Sequence, residues 1–261
     1  MTRYKLLYTG CIVLAVVLIC SEIKSLPVSS FIVKPSGINS SVYAGSKTVY
    51  KVESSDEDFT LSDTSNQLVL SESVKNSRKE IIISCGENII GAKGDLNRFL
   101  NDTQFLNLND SNIKKTAARF KNSKNKIKDI SLFVYEHISD KKIGIPLAAA
   151  ASILKAKSGD CTEHSVLTIS ILRSLNIPSR AVVGLILSEN FLNEKNVFVY
   201  HMWVEAYENG KWILVDSTRP DSINPNRYIA LCYHNLKTET PIEYLNAISA
   251  VQDLKITYIN P

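Results

Sequence analysis

Gly159-Asp160-Cys161-Thr162-Glu163-His164-Ser165 lies between two apolar runs of helical character, Pro146 to Ala156 and Val166 to Leu175. A Gly-Asp turn followed by a cysteine that opens a helix is a place to make a thiolate. Asp160 can cap the helix, and Glu163 falls three residues later, a D-x-x-E form of the capping box. Cys161 is then the first helical residue. There the helix dipole and the free N–H groups favour a negative sulfur, so a lowered thiol pKa is expected. A buried cysteine in an ordinary helix is the plainer reading of the same stretch. Partners further along the chain decide between the two.

Downstream, Asn176-Ile177-Pro178 ends the helix, because Pro178 cannot continue it. Ala181 to Leu187 is a continuous apolar run that reads as a buried strand. Ser188 to Asn196 reads as a polar loop bordering a cleft. Phe198 to Tyr207 and Lys211 to Asp216 read as two strands joined at Asn209-Gly210, a strong hairpin signal. With that turn Glu208 pairs with Lys211, and the ladder sets Trp203 opposite Asp216. His201 then shares a face with Asp216 as a diagonal neighbour, at about 7–8 Å between backbones. Asp216 can hold the imidazole through one nitrogen and leave the other for Cys161. His164, one helical turn after Cys161, is the competing base, with no acid placed to orient it except Glu163, which points elsewhere on the helix if it caps. Trp203 and Trp212 read as packing residues of the sheet.

Upstream, Ile127, Ile130, Phe133, Val134 and Ile138 mark the apolar face of a helix, and seven basic residues between Lys114 and Lys128 mark a solvated one. Lys47 to Val52, Gln67 to Leu70 and Glu80 to Cys85 read as strands, as do Tyr228 to Tyr233 and Leu254 to Ile259. The chain divides on this pattern into a targeting segment (1–25), a small β-rich region (26–110) and the Cys161-bearing domain (111–261). Arg3 and Lys5 precede the apolar run Ile12 to Cys20, which suits a signal peptide and is short for a membrane span. A cleaved leader, a lipid anchor at Cys20 and an uncleaved anchor are the three readings, and all place the rest outside the cytoplasm, in the periplasm or cell envelope.

The formal charge of +4 over 261 residues is too small to argue for nucleic acid. Beyond Cys11 and Cys20 three cysteines remain, Cys85, Cys161 and Cys232. Cys85 and Cys232 can pair or stay as buried thiols. No cysteine–histidine spacing suggests zinc.

The blocks Gly159 to Ser165, Leu172 to Arg180, His201 to Glu205 and Trp212 to Thr218 together resemble the bacterial transglutaminase-like domain, in the family's order, over about Lys128 to Arg219. The resemblance implies an α+β, papain-like core, with the cysteine-bearing helix packed on an antiparallel sheet beside the small β-rich region. It implies Cys161 as nucleophile, His201 as base and Asp216 as orienting acid. Members cleave or transfer acyl groups at amide bonds, so a peptide or protein substrate is expected and no cofactor is called for. Animal transglutaminases place an upstream Trp that helps hold the oxyanion. Here no Trp precedes Cys161, and Phe133 stands in the preceding helix. Backbone N–H groups, that of Cys161 included, are left for the task. The implied activity is a cysteine hydrolase or acyl transferase acting through a thioester. A non-catalytic peptide-binding or envelope-assembly module on the same fold is the alternative.

Overall fold

The computed structural model describes residues 31–87, 89, 95–142, 147–237 and 250–259. The targeting segment and the Gly144-Ile145-Pro146 break lie outside them. No helix among the described residues is long and apolar enough to cross a membrane.

The main sheet is built on a long hairpin, β7 (Ser179–Phe191) and β8 (Glu194–Glu208). On the far side of β7 lies β10 (Tyr228–His234), antiparallel. The other side of β8 is shared. A two-residue strand, β1 (Ile32–Val33), pairs with it at Phe198 and Val199. The strand β9 (Lys211–Val215) pairs with it from Val204 to Glu208. Between these two, Tyr200 to Trp203 meet no further strand of the described residues. The sheet therefore has a notch at His201 and Met202. The Asn209-Gly210 turn gives the ladder expected from sequence, with Glu208 opposite Lys211 and Val204 opposite Val215.

The central helix α5 (Cys161–Ser174) packs on β8, and every residue from Thr162 to Arg173 is buried. Val166, Leu167, Ile169, Ile171 and Leu172 are all 0% exposed, and truncating any of the four Leu and Ile residues to Ala would cost about 2–5 kcal/mol. Its buried polar groups are bonded, with the Ser174 hydroxyl as an exception among the described residues: Ser170 Oγ donates to Leu106 O, and Arg173 donates to the carbonyls of Asn101, Ser179 and Asn235. A first short helix, α1 (Ser40–Ala44), lies near the start of the described residues; around α5 stand α2 (Ser111–Ala118), α3 (Lys126–His137) and α4 (Ala150–Ala156). α3 buries Ile127, Ile130 and Val134, as its spacing requires. Lys157, in the left-handed region, ends α4. Two short strands pair in parallel beside the start of α5: β5 (Asp140–Lys141), which follows α3, and β6 (Ser158–Gly159), which leads the chain from α4 into α5.

A second sheet, of β2 (Lys47–Ser54), β3 (Gln67–Lys75), β4 (Arg78–Gly86) and β11 (Lys255–Ile259), buttresses the first. The strand expected near Leu254 thus joins β2 from the far end of the sequence, away from the main sheet. The Gln67 amide bridges to β10, donating to Ala230 O and accepting from Ala230 N–H. One hydrophobic core runs through both sheets and α5.

One expectation is corrected. Ser188 to Asn196 is mostly strand: the ladder continues through Ser188 opposite Val197 to Phe191 opposite Glu194. Its polar side chains read as a loop, but an antiparallel ladder uses the backbone and tolerates polar side chains on a solvated arm. Glu189 and Glu194 on this arm pair with Arg227 and Lys34.

Candidate active site

Cys161 is the first residue of α5, and the capping box expected before it is formed. The Asp160 carboxylate accepts the Thr162 N–H at 2.9 Å, and Glu163 Oε2 accepts the Asp160 N–H at 3.0 Å. Gly159 makes the turn sterically feasible: a Cβ there would lie 2.3 Å from Glu163 Cβ. Glu163 is pushed up to about 7 by burial and by the neighbouring Asp160 carboxylate.

Cys161 is half-buried, with its sulfur deep among protein atoms. Burial, then the Asp160 carboxylate, push the thiol well above its ordinary value, with smaller contributions from Asp216 and Glu163. The Met202 backbone N–H is directed at the sulfur and pulls the other way. The lowered pKa expected from sequence is therefore not met by these surroundings. A helix N-terminus favours the thiolate, but desolvation and three carboxylates outweigh it. The proton has to be taken by a base.

His201 and Met202 are consecutive residues at the notch in the main sheet, and Met202 is the residue whose backbone N–H reaches the start of α5. His201 Nε2 lies 2.8 Å from Asp216 Oδ2, so its Nδ1 is the nitrogen left for chemistry. Its ring stacks on Trp203, with centroids 6.2 Å apart. Asp216 follows β9 directly and is buried. Its Oδ2 also accepts from the Tyr228 hydroxyl at 2.9 Å, and its Oδ1 accepts from Thr218 N–H at 2.9 Å and Thr218 Oγ1 at 2.6 Å. Burial alone would raise this carboxyl, but His201 and the Thr218 bonds hold it well below the usual carboxylate range. Ser217 pins the same turn, bonding Thr168 of α5 at 2.7 Å and Ser131 of α3 at 3.1 Å.

His164 has a different setting. Its Nδ1 lies 2.6 Å from Asp160 O and its Nε2 2.6 Å from Lys141 Nζ, so both nitrogens are committed. Burial pushes it down to about 4. Arg180 and Glu205, also in the resembling blocks, face each other across β7 and β8 as a buried pair at 2.6 Å. Arg180 is stacked against Tyr233 and Trp212, and Glu205 also accepts the Ser65 N–H. These two hold the sheets together away from the thiol. Neither Cys85 nor Cys232 forms a disulfide.

Three participants escaped the sequence reading: Tyr228 on Asp216, the Met202 N–H on Cys161, and the Trp203 ring under His201. Only Trp203 carried a signal, its place two residues along the strand from His201.

Residues 113–217 match the transglutaminase-like superfamily. In a sequence comparison no curated protein matches the chain. Among solved structures, a "Putative Cysteine Protease from Cytophaga hutchinsonii" shares 16% identity over 82% of this chain and 86% of its own, with a TM-score of 0.51. The periplasmic domain of TgpA from Pseudomonas aeruginosa gives 15% identity, 67% and 73% coverage and a TM-score of 0.47. Red sea bream transglutaminase gives 11%, 66% and 46%, and 0.35. The transglutaminase-like stretch spans α2 to the Asp216-Ser217 turn, and so contains Cys161, His201 and Asp216. The fold is α+β and transglutaminase-like, with the cysteine-bearing helix on an antiparallel sheet.

Proposed function

We propose that this protein is an exported cysteine-dependent hydrolase or acyl transferase acting on an amide bond of a peptide or protein. The observation that carries the proposal is the joint placement of His201 and Met202 at the sheet's notch: one residue is held by Asp216 at 2.8 Å, and the next directs its N–H at the Cys161 sulfur. The match to the transglutaminase-like superfamily is consistent with it. Export rests on Arg3, Lys5 and the apolar run Ile12 to Cys20.

In this reading His201 Nδ1 takes the thiol proton as sulfur attacks the carbonyl carbon. The S–C bond forms and the carbonyl oxygen becomes an oxyanion, held by the Cys161 N–H. Collapse expels the amine, which leaves with the proton from His201, and a thioester remains. Water or a second amine then attacks the thioester while His201 takes its proton; the C–S bond breaks, the acyl product leaves and the sulfur regains the proton. Asp216, ionised throughout, holds the ring in the tautomer with hydrogen on Nε2 and stabilises the imidazolium.

The test is alkylation of Cys161 by iodoacetamide at neutral pH. With its carboxylate neighbours and burial, Cys161 without a base should react more slowly than an ordinary thiol, so His201→Ala should slow alkylation by about tenfold or more. A rate untouched by His201→Ala would overturn the catalytic reading and leave a peptide-binding module on the same fold.

A further inference from the structure

The carbonyl of Asp160 and the N–H of Cys161 belong to one trans peptide and so point in opposite directions. Fixing one fixes the other. The Asp160 carbonyl accepts two bonds from the same residue, His164: the helical N–H at 3.1 Å and the ring Nδ1–H at 2.6 Å. A carbonyl only accepts, so Nδ1 carries the hydrogen, and Nε2 presents its lone pair to Lys141 Nζ at 2.6 Å. Lys141 is itself anchored: it sits in β5 opposite Gly159, and its ammonium lies over the Tyr135 ring at 5.1 Å. The peptide on the other side of Asp160 is held by Glu163. Among the described residues the Cys161 N–H has no acceptor. It projects from the start of α5, opposite in direction to the carbonyl that His164 grips.

We propose that His164, braced by Lys141, is a positioning residue that locks the Asp160–Cys161 peptide so that the Cys161 N–H faces the oxyanion. The proposal rests on the cysteine-acylation reading above. It accounts for a buried histidine whose two nitrogens are tied up within the turn that carries the nucleophile. First-turn peptides at a helix start are held by few bonds, and with no upstream Trp in the sequence the aim of one backbone donor counts for more.

Two reagents separate the lock from the nucleophile. Acylation by p-nitrophenyl acetate passes through an oxyanion: the S–C bond forms, p-nitrophenolate leaves with the ester C–O pair, and the thiol proton goes to His201. Iodoacetamide is attacked at a saturated carbon and forms no oxyanion. In the full chain, with Cys161→Ala as blank, His164→Ala should slow the p-nitrophenolate burst by about ten- to a hundredfold. It should leave alkylation within about twofold, since no oxyanion donor is used there. His164→Asn, whose amide nitrogen stands where Nδ1 stood, should restore the burst to within about tenfold of the native rate, one weaker bond being at stake. His164→Gln, whose nitrogen stands where Nε2 stood, should behave like His164→Ala. Parallel loss of both reactions, an unchanged burst in His164→Ala, or equal bursts in the Asn and Gln variants would overturn the lock. If His164→Ala does not fold, the Asn–Gln pair carries the test alone. A native chain that alkylates in a His201-dependent way but gives no burst would overturn the lock and leave the base assignment standing. Alkylation indifferent to His201 would sink the catalytic reading itself.

Discussion

At the scale of single residues, Asp216 is the most constrained group at the site. Its two oxygens meet four donors, from His201, Tyr228 and twice from Thr218. An amide cannot serve that set. If Asn turned its oxygen to Thr218, its nitrogen would face His201, and the imidazole would have to present a lone pair at Nε2. The hydrogen would then sit on Nδ1, where the proposed base needs a lone pair. Asp216→Asn should therefore lower the rate of Cys161 acylation by about a hundredfold or more. Tyr228→Phe removes one donor of four and should cost about three- to tenfold, the worth of one hydrogen bond of about 1 kcal/mol. Rates of the p-nitrophenolate burst in both variants check the order. A Tyr228→Phe loss as large as that of Asp216→Asn would mean that the phenol, and not the carboxylate, holds the ring. The His201–Asp216 face was legible in the sequence because a two-residue Asn-Gly turn leaves the register little freedom. Tyr228 was not, because it reaches Asp216 only after β10 has paired with β7, a long-range choice that no local spacing records. The Cys161 shift runs against the sequence expectation for a similar reason. The helix end is visible in sequence, whereas depth of burial and the sum of nearby carboxylates are not.

At the scale of elements, the turn before α5 depends on a side chain that is missing. Gly159 lets Glu163 fold back onto the Asp160 N–H, and a methyl group there would sit 2.3 Å from Glu163 Cβ and 2.5 Å from its Cγ. Gly159→Ala should expel Glu163 from the capping box, costing on the order of 2 kcal/mol of stability. Because the same turn aims Cys161, alkylation and acylation should both slow in this variant, unlike in His164→Ala. Urea midpoints and the two labelling rates measure the pair of effects. Full stability with the native rates would show that Glu163 can cap from another rotamer. Gly184 in β7 has a second kind of necessity. It lies opposite His201, and a Cβ there would press to 2.1 Å from Ile229 O and 2.7 Å from the Trp203 ring. The helix, its cap and the hairpin could be read from the sequence because each is specified within a few residues. The arm from Ser188 to Asn196 could not. Its strands are held by each other's backbones, with side chains that leave no hydrophobic alternation to detect.

At the scale of the whole molecule, the two sheets and the central helix are joined by buried polar groups, and such joints make stability depend on pH. His234 ends β10 beside Arg173, and Leu236 N–H approaches its Nδ1 at 3.4 Å. Its Nε2 is buried with no hydrogen-bond partner among the described residues. Burial first, and then the Arg173 guanidinium, push the imidazole down to about 4 from an ordinary 6.5. The folded chain thus refuses a proton that the unfolded chain accepts. The stability due to this neutrality is complete above about pH 6.5 and is lost as pH falls toward 4. His164, lowered to about 4 by burial, adds in the same direction. Glu163, raised to about 7, opposes them, because between its ordinary value and 7 the folded state holds a proton that the unfolded state releases. One acid against two histidines leaves a net loss on acidification, but the opposition makes the slope of the native protein alone a poor measure of any single group. A paired comparison removes the common part. His234→Gln cannot titrate, so the advantage of the native protein over this variant should shrink by about 2 kcal/mol between pH 7.5 and pH 4.5. Urea unfolding of both proteins at the two pH values gives the difference directly. Parallel pH dependences would mean that the His234 imidazole gains a proton freely in the folded state, and that the junction of β10 with Arg173 opens to water without unfolding the sheet.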